Sequence, residues 1–272
     1  MIQQSKGIIS RRWPVTIKNY WFGQRPEKQS MPDIARLHSI PESLTIGMKK
    51  ESWTLLTDLS GTDQDIMSLL HRSTRTQVRR AEREGILVER FDSRHPYILD
   101  DFDLFFKKFA ETKSEARNIL NISVQLHMLR RLVDADMLEV SRALGRDGEP
   151  IVYHVFIVAG SRARVHLSAS LFRESQNSEE RHFMGWASRY LHWKDMLHYK
   201  QQGYHIYDMG GWYAGKDNES LMRINHFKEE FGGRVVCEYD ALYGCTVPGK
   251  WALQIQSLFK SVLQSTSRRM TR

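Results

Sequence analysis

A lysine stands where the sequence around it asks for an apolar residue. In "SLMRINHFKEEFGG", Leu221, Ile224, Phe227 and Phe231 share one arc of a helix at about 100° per residue. Lys228 falls inside that arc, whereas Arg223, His226, Glu229 and Glu230 fall outside it. A cation on an inward face must snorkel, pair, or look into a polar cleft. In a cleft it would meet a ligand phosphate or an oxyanion that develops during reaction. Upstream, Asp208 closes a strand and is followed by Met209, Gly210, Gly211 and Trp212. Glycines there let the backbone approach a ligand or take positive φ. Asp208 either caps a turn or accepts the proton of an amine or hydroxyl.

Other residues offer further chemistry. Arg72, Arg75, Arg79 and Arg83 follow one another at helical spacing, so they line one face, which is either a solvated surface or a reader of phosphate oxygens. His154 sits in "VYHVFIV" with apolar neighbours Val152 and Phe156 on its own side of the strand. It reads as a satisfied core histidine or as a base at the sheet surface. His192 and His198, six apart on one helix, point to opposite sides, and no histidine set has metal-ligand spacing. A Walker loop, a strand-linked GxGxxG, HExxH and G-x-S-x-G are all missing from the sequence.

The elements that must position these residues follow from pattern. "PVTIK" and "SWTLLTDL" have strand composition. "TDQDIMSLLHRSTRTQVRRAEREG" reads as one helix, capped by Thr62 or Asp63 and ended by Gly85. After the strand "ILVERF" come two helices, "LDDFDLFFKKFAETKSEA" and "SVQLHMLRRLVDADM". "LEVSRALG", "IVYHVFIVAG" and "SRARVHLSAS" form an antiparallel meander. A helix with the stripe Trp186, Tyr190, Trp193 and Leu197 leads to the strand "YHIYDMGG". The lysine helix, the strand "RVVCEYDAL", the amphipathic "WALQIQSLFKSVLQ" and a basic, frayed "SRRMTR" complete the chain. The second half therefore runs strand, strand, strand, helix, strand, helix, strand, an α+β pattern with a mixed sheet.

The 272 residues suffice for one large domain or two small ones. A net charge of +8 favours anionic partners such as nucleic acid, phosphorylated cofactors or an acidic membrane face. Two cysteines, Cys237 and Cys245, exclude a disulfide framework and a four-cysteine zinc site, which suits a reducing, cytoplasmic home. No apolar signal core and no membrane-spanning run stands in the sequence.

Three blocks together resemble the FemAB-like acyltransferases of the GNAT superfamily. "TLLTDLS…STRTQVRRAEREGILVER" resembles their N-terminal part, "HLSASL…SRYLHWKDMLHYKQQGYHIYDMGG" their central block, and "INHFKEEFGG" their closing Phe-Lys-x-x-Phe-Gly-Gly signature. The resemblance implies an α+β, GNAT-type fold: a mixed, mostly antiparallel sheet flanked by helices. It implies a reduced GNAT-like half over residues 1–115, a transferase domain over 116–248, and a helix with a basic tail over 249–272. It implies an N-acyltransferase that moves an acyl group from acyl-CoA, without a metal, to an amine such as an amino sugar or a cell-envelope precursor. Classical members instead draw on aminoacyl-tRNA, so tRNA is the alternative donor; a non-catalytic basic module is the third reading. Lys228, beside Phe227, would stabilise negative charge, and Asp208 would orient or deprotonate the amine. Arg72, Arg75, Arg79, Arg83, His154, Gly210, Gly211 and Trp212 would line the substrate site. "RHFMGWA" is similar to the pyrophosphate turn of GNAT folds, which gives Arg181, His182, Gly185 and Ala187 to the cofactor. The amphipathic tail would pack on the core or touch a membrane.

Overall fold

The structure, a computed structural model, describes residues 8–12, 14–44, 48–95, 97–111, 117–171 and 177–257. The chain begins with β1 (Ile8–Arg12), β2 (Val15–Trp21), β3 (Ile34–Ile40) and β4 (Met48–Asp58). Next come α1 (Asp63–Leu69), α2 (Arg72–Arg83), β5 (Val88–Asp92), α3 (Ile98–Glu111) and α4 (Arg117–Asp134). The meander is β6 (Leu138–Leu144), β7 (Pro150–Ala159) and β8 (Arg162–Ser170). The chain continues with α5 (Ser178–Gln201), β9 (Ile206–Gly211), α6 (Glu219–Glu229), β10 (Arg234–Gly244) and a helical stretch over 247–257. None of the described helices is long and apolar enough to cross a membrane.

The chain forms two compact units, Met1–Ser52 with Cys237–Arg272, and Trp53–Val236. Boundaries at 115 and 248 are therefore not those of the folded units. Residues 53–115 belong with the meander, because β5 pairs with β6 and β4 with β9. In the first unit β2 lies between β1, antiparallel, and β3, parallel. β10 then pairs antiparallel with β3 through residues Tyr239 to Gly244. Tyr20, Ala35, Leu37, Ile40 and Ala241 make its core.

The larger unit orders its strands β4-β9-β8-β7-β6-β5. All neighbours are antiparallel except β8 and β9. β7 is buried from Ile151 to Ala159, which explains why it is apolar on both faces. Phe102 and Phe105 of α3 pack on Tyr153 of β7. On the other face, α5 buries Ala187, Leu191 and Met196 in a core with Val152, Phe156 and Val165. Tyr190 and Trp193 of the α5 stripe are buried, while Trp186 and Leu197 pack at its edge.

One sequence expectation changes in this unit. The single helix over 62–85 is broken at Leu70 and His71. Thr62 caps the first half in a reciprocal box with Asp65, and Leu70 takes extended backbone. The first half ends there because Arg75 reaches back to the carbonyls of Ser68 (3.1 Å) and Leu70 (2.5 Å). The tail "SRRMTR" lies outside the described residues.

Candidate active site

The site is built where the parallel strand pair of the larger unit, β8 and β9, comes apart. β8 and β9 are in register only at Arg162 with Ile206, Ala163 with Tyr207, and Arg164 with Asp208. β8 then runs on to Ser170, whereas β9 ends at Gly211. Gly210 makes this geometry accessible. Its φ is +75°, and a Cβ there would lie 2.5 Å from the Val165 carbonyl oxygen. Only glycine tolerates both conditions.

Asp208 fastens the end of β9 instead of lining a cleft. The side chain is fully buried. Its Oδ2 accepts from Arg162 Nε at 2.9 Å and Nη2 at 2.5 Å, with Arg164 Nη1 3.6 Å away. Its Oδ1 accepts from the Gly210 N–H at 2.8 Å and from the Thr54 hydroxyl. Both oxygens are committed to donors, so this carboxylate has no lone pair turned to an incoming amine. The expectation of a proton acceptor at Asp208 is corrected to a positioning role for Gly210 and Gly211.

Lys228 is brought to that strand end by α6. Asn218 caps the helix through the Leu221 N–H (3.1 Å). Buried Asn225 accepts from the Tyr213 N–H at 3.1 Å and donates to the Tyr213 carbonyl at 2.7 Å. The Trp212 N–H donates to the Trp53 carbonyl at 2.7 Å, so the segment after β9 is tied on both sides. These bonds rotate α6 away from the expected arc: Leu221 and Ile224 are 38% and 49% exposed, and Asn225 is the buried residue. Phe231 remains buried and Phe227 half-buried. Lys228 is half-buried, with Nζ donating to the Gly211 carbonyl. Burial pushes its pKa down from 10.5 to about 8; Asp208 opposes the shift and Arg164 adds to it.

Behind Lys228 lies a buried polar chain that the sequence reading did not identify. His192 packs between Phe227 and Phe231, with ring centroids at 5.7 and 4.7 Å. Its Nδ1 is 2.8 Å from the Tyr207 hydroxyl, and its ring is 4.1 Å from that of His154. Burial holds His192 well below 6.5, helped by the nearby His154, Lys228 and Arg189. His154 Nδ1 is 2.8 Å from Asp195 Oδ2, which also accepts from Ser141 at 3.1 Å. Arg90 Nη2 donates to Asp195 Oδ1 at 3.1 Å. His154 is thus held in the core by Asp195, although its Nε2 is buried without a hydrogen-bond partner. The missed signal is helical: His192, Asp195 and Tyr199 are spaced by three and four, so polar groups share the buried face of α5.

The remaining candidates lie apart. Arg72, Arg79 and Arg83 are exposed on α2, and Arg75 is turned back onto α1. Arg79 and Arg83, with Thr76 and Glu82, line an open groove of about 650 Å³. At the start of α2 the Thr74 hydroxyl donates to Glu230 Oε2 at 2.8 Å, and Arg189 of α5 grips both oxygens of Glu230 at 2.8 and 3.0 Å. Arg181, His182, Gly185 and Ala187 lie inside α5 and form no turn, since the helix begins at Ser178 behind its Asn177 cap. The Arg181 N–H already donates to the Asn177 carbonyl, Ala187 is buried, and the first turn carries Glu179 and Glu180. Helix amides in the ladder have nothing left to offer a pyrophosphate.

The fold is one that this chain shares with solved structures of FemX and of lysylphosphatidylglycerol synthetase type. FemX, 13% identical, matches over 88% of this chain and 84% of its own, with a TM-score of 0.60. The C-terminal domain of a protein described as a lysylphosphatidylglycerol synthetase, from Agrobacterium fabrum, is 13% identical over 93% of this chain and 89% of its own (TM-score 0.51). L-PGS from Bacillus licheniformis is 12% identical over 92% and 84% (TM-score 0.51). At these identities the likeness is one of fold. No protein-family model and no curated protein sequence matches the chain.

Proposed function

We propose that this chain is an acyltransferase of the aminoacyl-transferring kind, with Lys228 as its electrostatic catalyst. The observation that carries this reading is the half-buried lysine held by the Gly211 carbonyl where β8 and β9 part. An acceptor amine attacks the carbonyl carbon of an activated ester, and a C–N bond forms. The carbonyl oxygen becomes an oxyanion, which the Lys228 ammonium stabilises. The C–O bond to the donor then breaks, and the leaving hydroxyl takes the proton that the amine gives up. Phe227 packs against the rings of His192 and Phe231, and Asp208 with Arg162 fixes the strand end against which Lys228 rests.

For the donor, we favour an aminoacyl ester on tRNA. Three things support it: the groove at Arg79 and Arg83, the net charge of +8, and the fold shared with FemX and with lysylphosphatidylglycerol synthetases. An acyl-CoA thioester is the second reading, favoured by the Asn177-capped start of α5 after β8 and opposed by Glu179 and Glu180. Cell-envelope precursors and amino sugars are the acceptors of either reading, and the cytoplasm is the proposed site of action.

The test pairs binding with turnover. Anisotropy with labelled tRNA and with labelled CoA, across a salt series, separates the donors, because tRNA binding should fall steeply with salt. With the donor that binds, Lys228→Ala should lose roughly 100-fold or more in kcat, the scale of removing one oxyanion donor. Its melting temperature should not drop. Full turnover by this variant would remove Lys228 from the mechanism.

A further inference from the structure

Lys228 is placed by what its own helix packs on, and that is a small set of rings. Of the apolar side chains of α6 and the turn after it, Phe227 and Phe231 join the core of the larger unit, while Leu221 and Ile224 stay exposed. The two phenylalanines are four residues apart and share one side, with ring centroids at 5.3 Å. α5 meets them with two residues spaced by three. Arg189 lies over the Phe227 ring at 5.1 Å, and the His192 ring meets both, at 5.7 and 4.7 Å. His192 is buried, so its ring is a wedge behind the two phenylalanines that carry Lys228 to the sheet.

An apolar ring would fill that space without the cost of burying an imidazole. What the imidazole adds is a fixed orientation. Its Nδ1 is 2.8 Å from the Tyr207 hydroxyl. Burial keeps both partners uncharged, holding the imidazole well below 6.5 and the phenol well above 10. Two neutral groups share one hydrogen bond in a dry core, and that bond sets the plane of the ring. Behind the ring stands His154 of β7, 4.1 Å away; Asp195 holds His154, and Ser141 of β6 and Arg90 of β5 hold Asp195. Tyr207 belongs to β9, the strand that ends at Gly211, and the Gly211 carbonyl accepts from Lys228. A closed circuit of contacts results: from Lys228 to Gly211, along β9 to Tyr207, across to His192, and through Phe227 back to Lys228. Both ends of the contact between Lys228 and Gly211 are therefore fixed to one imidazole.

We propose that His192 is the positioning residue of Lys228: bonded to Tyr207 and wedged against Phe227 and Phe231, it sets how deeply the ammonium is drawn in at the end of β9. It acts through α6 and touches no substrate. The inference deepens the reading of Lys228 as the catalyst and rests on that reading for its consequence in turnover. The charged and titratable groups around His192 and Lys228 are His154 on β7, Arg189 on α5, Arg164 on β8 and Asp208 on β9. Removing the Tyr207 hydroxyl leaves all four in place, so a change at Lys228 in that variant comes by way of the His192 ring.

The test reads Lys228 directly and needs neither donor nor acceptor. The full chain is labelled with limiting acetic anhydride from about pH 7 to about pH 11, the range in which lysines titrate. Peptide mass spectrometry counts acetylation at Lys228 against the exposed Lys216. Wild-type Lys228 should titrate with a midpoint of about 8. Tyr207→Phe and His192→Phe remove the same hydrogen bond from its two ends and keep both rings. Each should release Lys228 toward water and raise its midpoint by about one pH unit or more, and the double variant should add no further shift. With the donor that binds, Tyr207→Phe should lower kcat about 10-fold at unchanged KM. A merely structural His192 would lower the melting temperature of both variants and leave the midpoint where it was; that result overturns the proposal. So does a wild-type midpoint near 10.5, which would leave Lys228 in water. Tyr207→Phe loses one hydroxyl and adds no volume, so it decides the matter where His192→Phe does not fold. Full turnover by Lys228→Ala overturns the catalytic reading and with it the functional meaning of the wedge, whereas unshifted midpoints beside an inactive Lys228→Ala overturn the wedge alone.

Discussion

Lys228 ties chemistry and stability together in one side chain. Its pKa is lowered from 10.5 to about 8, so between these values the unfolded chain holds more protons than the folded one. Burial of the ammonium opposes folding below about pH 8, and the penalty fades as pH rises toward 10.5. Catalysis needs the protonated form, so kcat should fall as pH rises through about 8, and Lys228→Arg should move that limb to higher pH. A pH-rate profile of both proteins checks this; a limb at the same pH in the arginine variant assigns it to another group. Asp208 is a buried carboxylate whose hydrogen-bond partners are already in place. Asp208→Asn takes the carboxylate charge away from the buried Arg162 guanidinium that grips it through Nε and Nη2, and should cost about 3–5 kcal/mol. Denaturant titration measures that loss, whereas a catalytic base would show lost turnover at unchanged stability.

At the level of elements, Glu230 joins three helices. It follows α6, is gripped by Arg189 of α5, and accepts from Thr74 at the start of α2, whose His71 N–H donates to the Glu230 carbonyl at 2.7 Å. Glu230→Gln keeps one hydrogen bond and leaves the half-buried Arg189 without its counter-charge. Its cost should be about 1–3 kcal/mol, read from the urea midpoint. Lys228 sits two residues from this junction, so KM should rise along with the loss of stability; an effect on neither makes the junction incidental. The helices and strands themselves were mostly legible from sequence. The order β6, β7, β8, α5, β9, α6, β10 follows from runs of period two and period near four. The break between α1 and α2 was not, because nothing in "SLLHRST" forbids a helix. It arises where Arg75 satisfies the last carbonyls of α1 and α2 starts afresh against Glu230.

Across the whole molecule, the buried histidine sets the response to acid. His192 stays neutral in the core well below 6.5 and is protonated in the unfolded chain as pH falls through that value. The unfolded state then binds the extra proton, so stability should decline on the acid side by up to about 1.4 kcal/mol per pH unit. His192→Gln should flatten the slope between pH 6.5 and 5 in thermal melts. An unaltered slope would assign acid sensitivity to the carboxylates. The same scale explains the division of the chain. The compact units join distant segments, Met1–Ser52 with Cys237–Arg272, through pairing of β3 with β10. Linear boundaries drawn by composition cannot anticipate a strand contributed from the far end.

By itself the sequence determined the α+β pattern and the glycines at the end of β9. Those features live in local periodicity and in conformations that only certain residues accept. Only the tertiary structure decided what each polar group meets. Asp208 was open to being base or brace until Arg162, Arg164 and Thr54 were seen to surround it. The pairing of His154 with Asp195, and of His192 with Tyr207, joins residues 41 and 15 positions apart. Contacts of that kind depend on how a helix face is laid on a sheet, and periodicity fixes the face without fixing its partner.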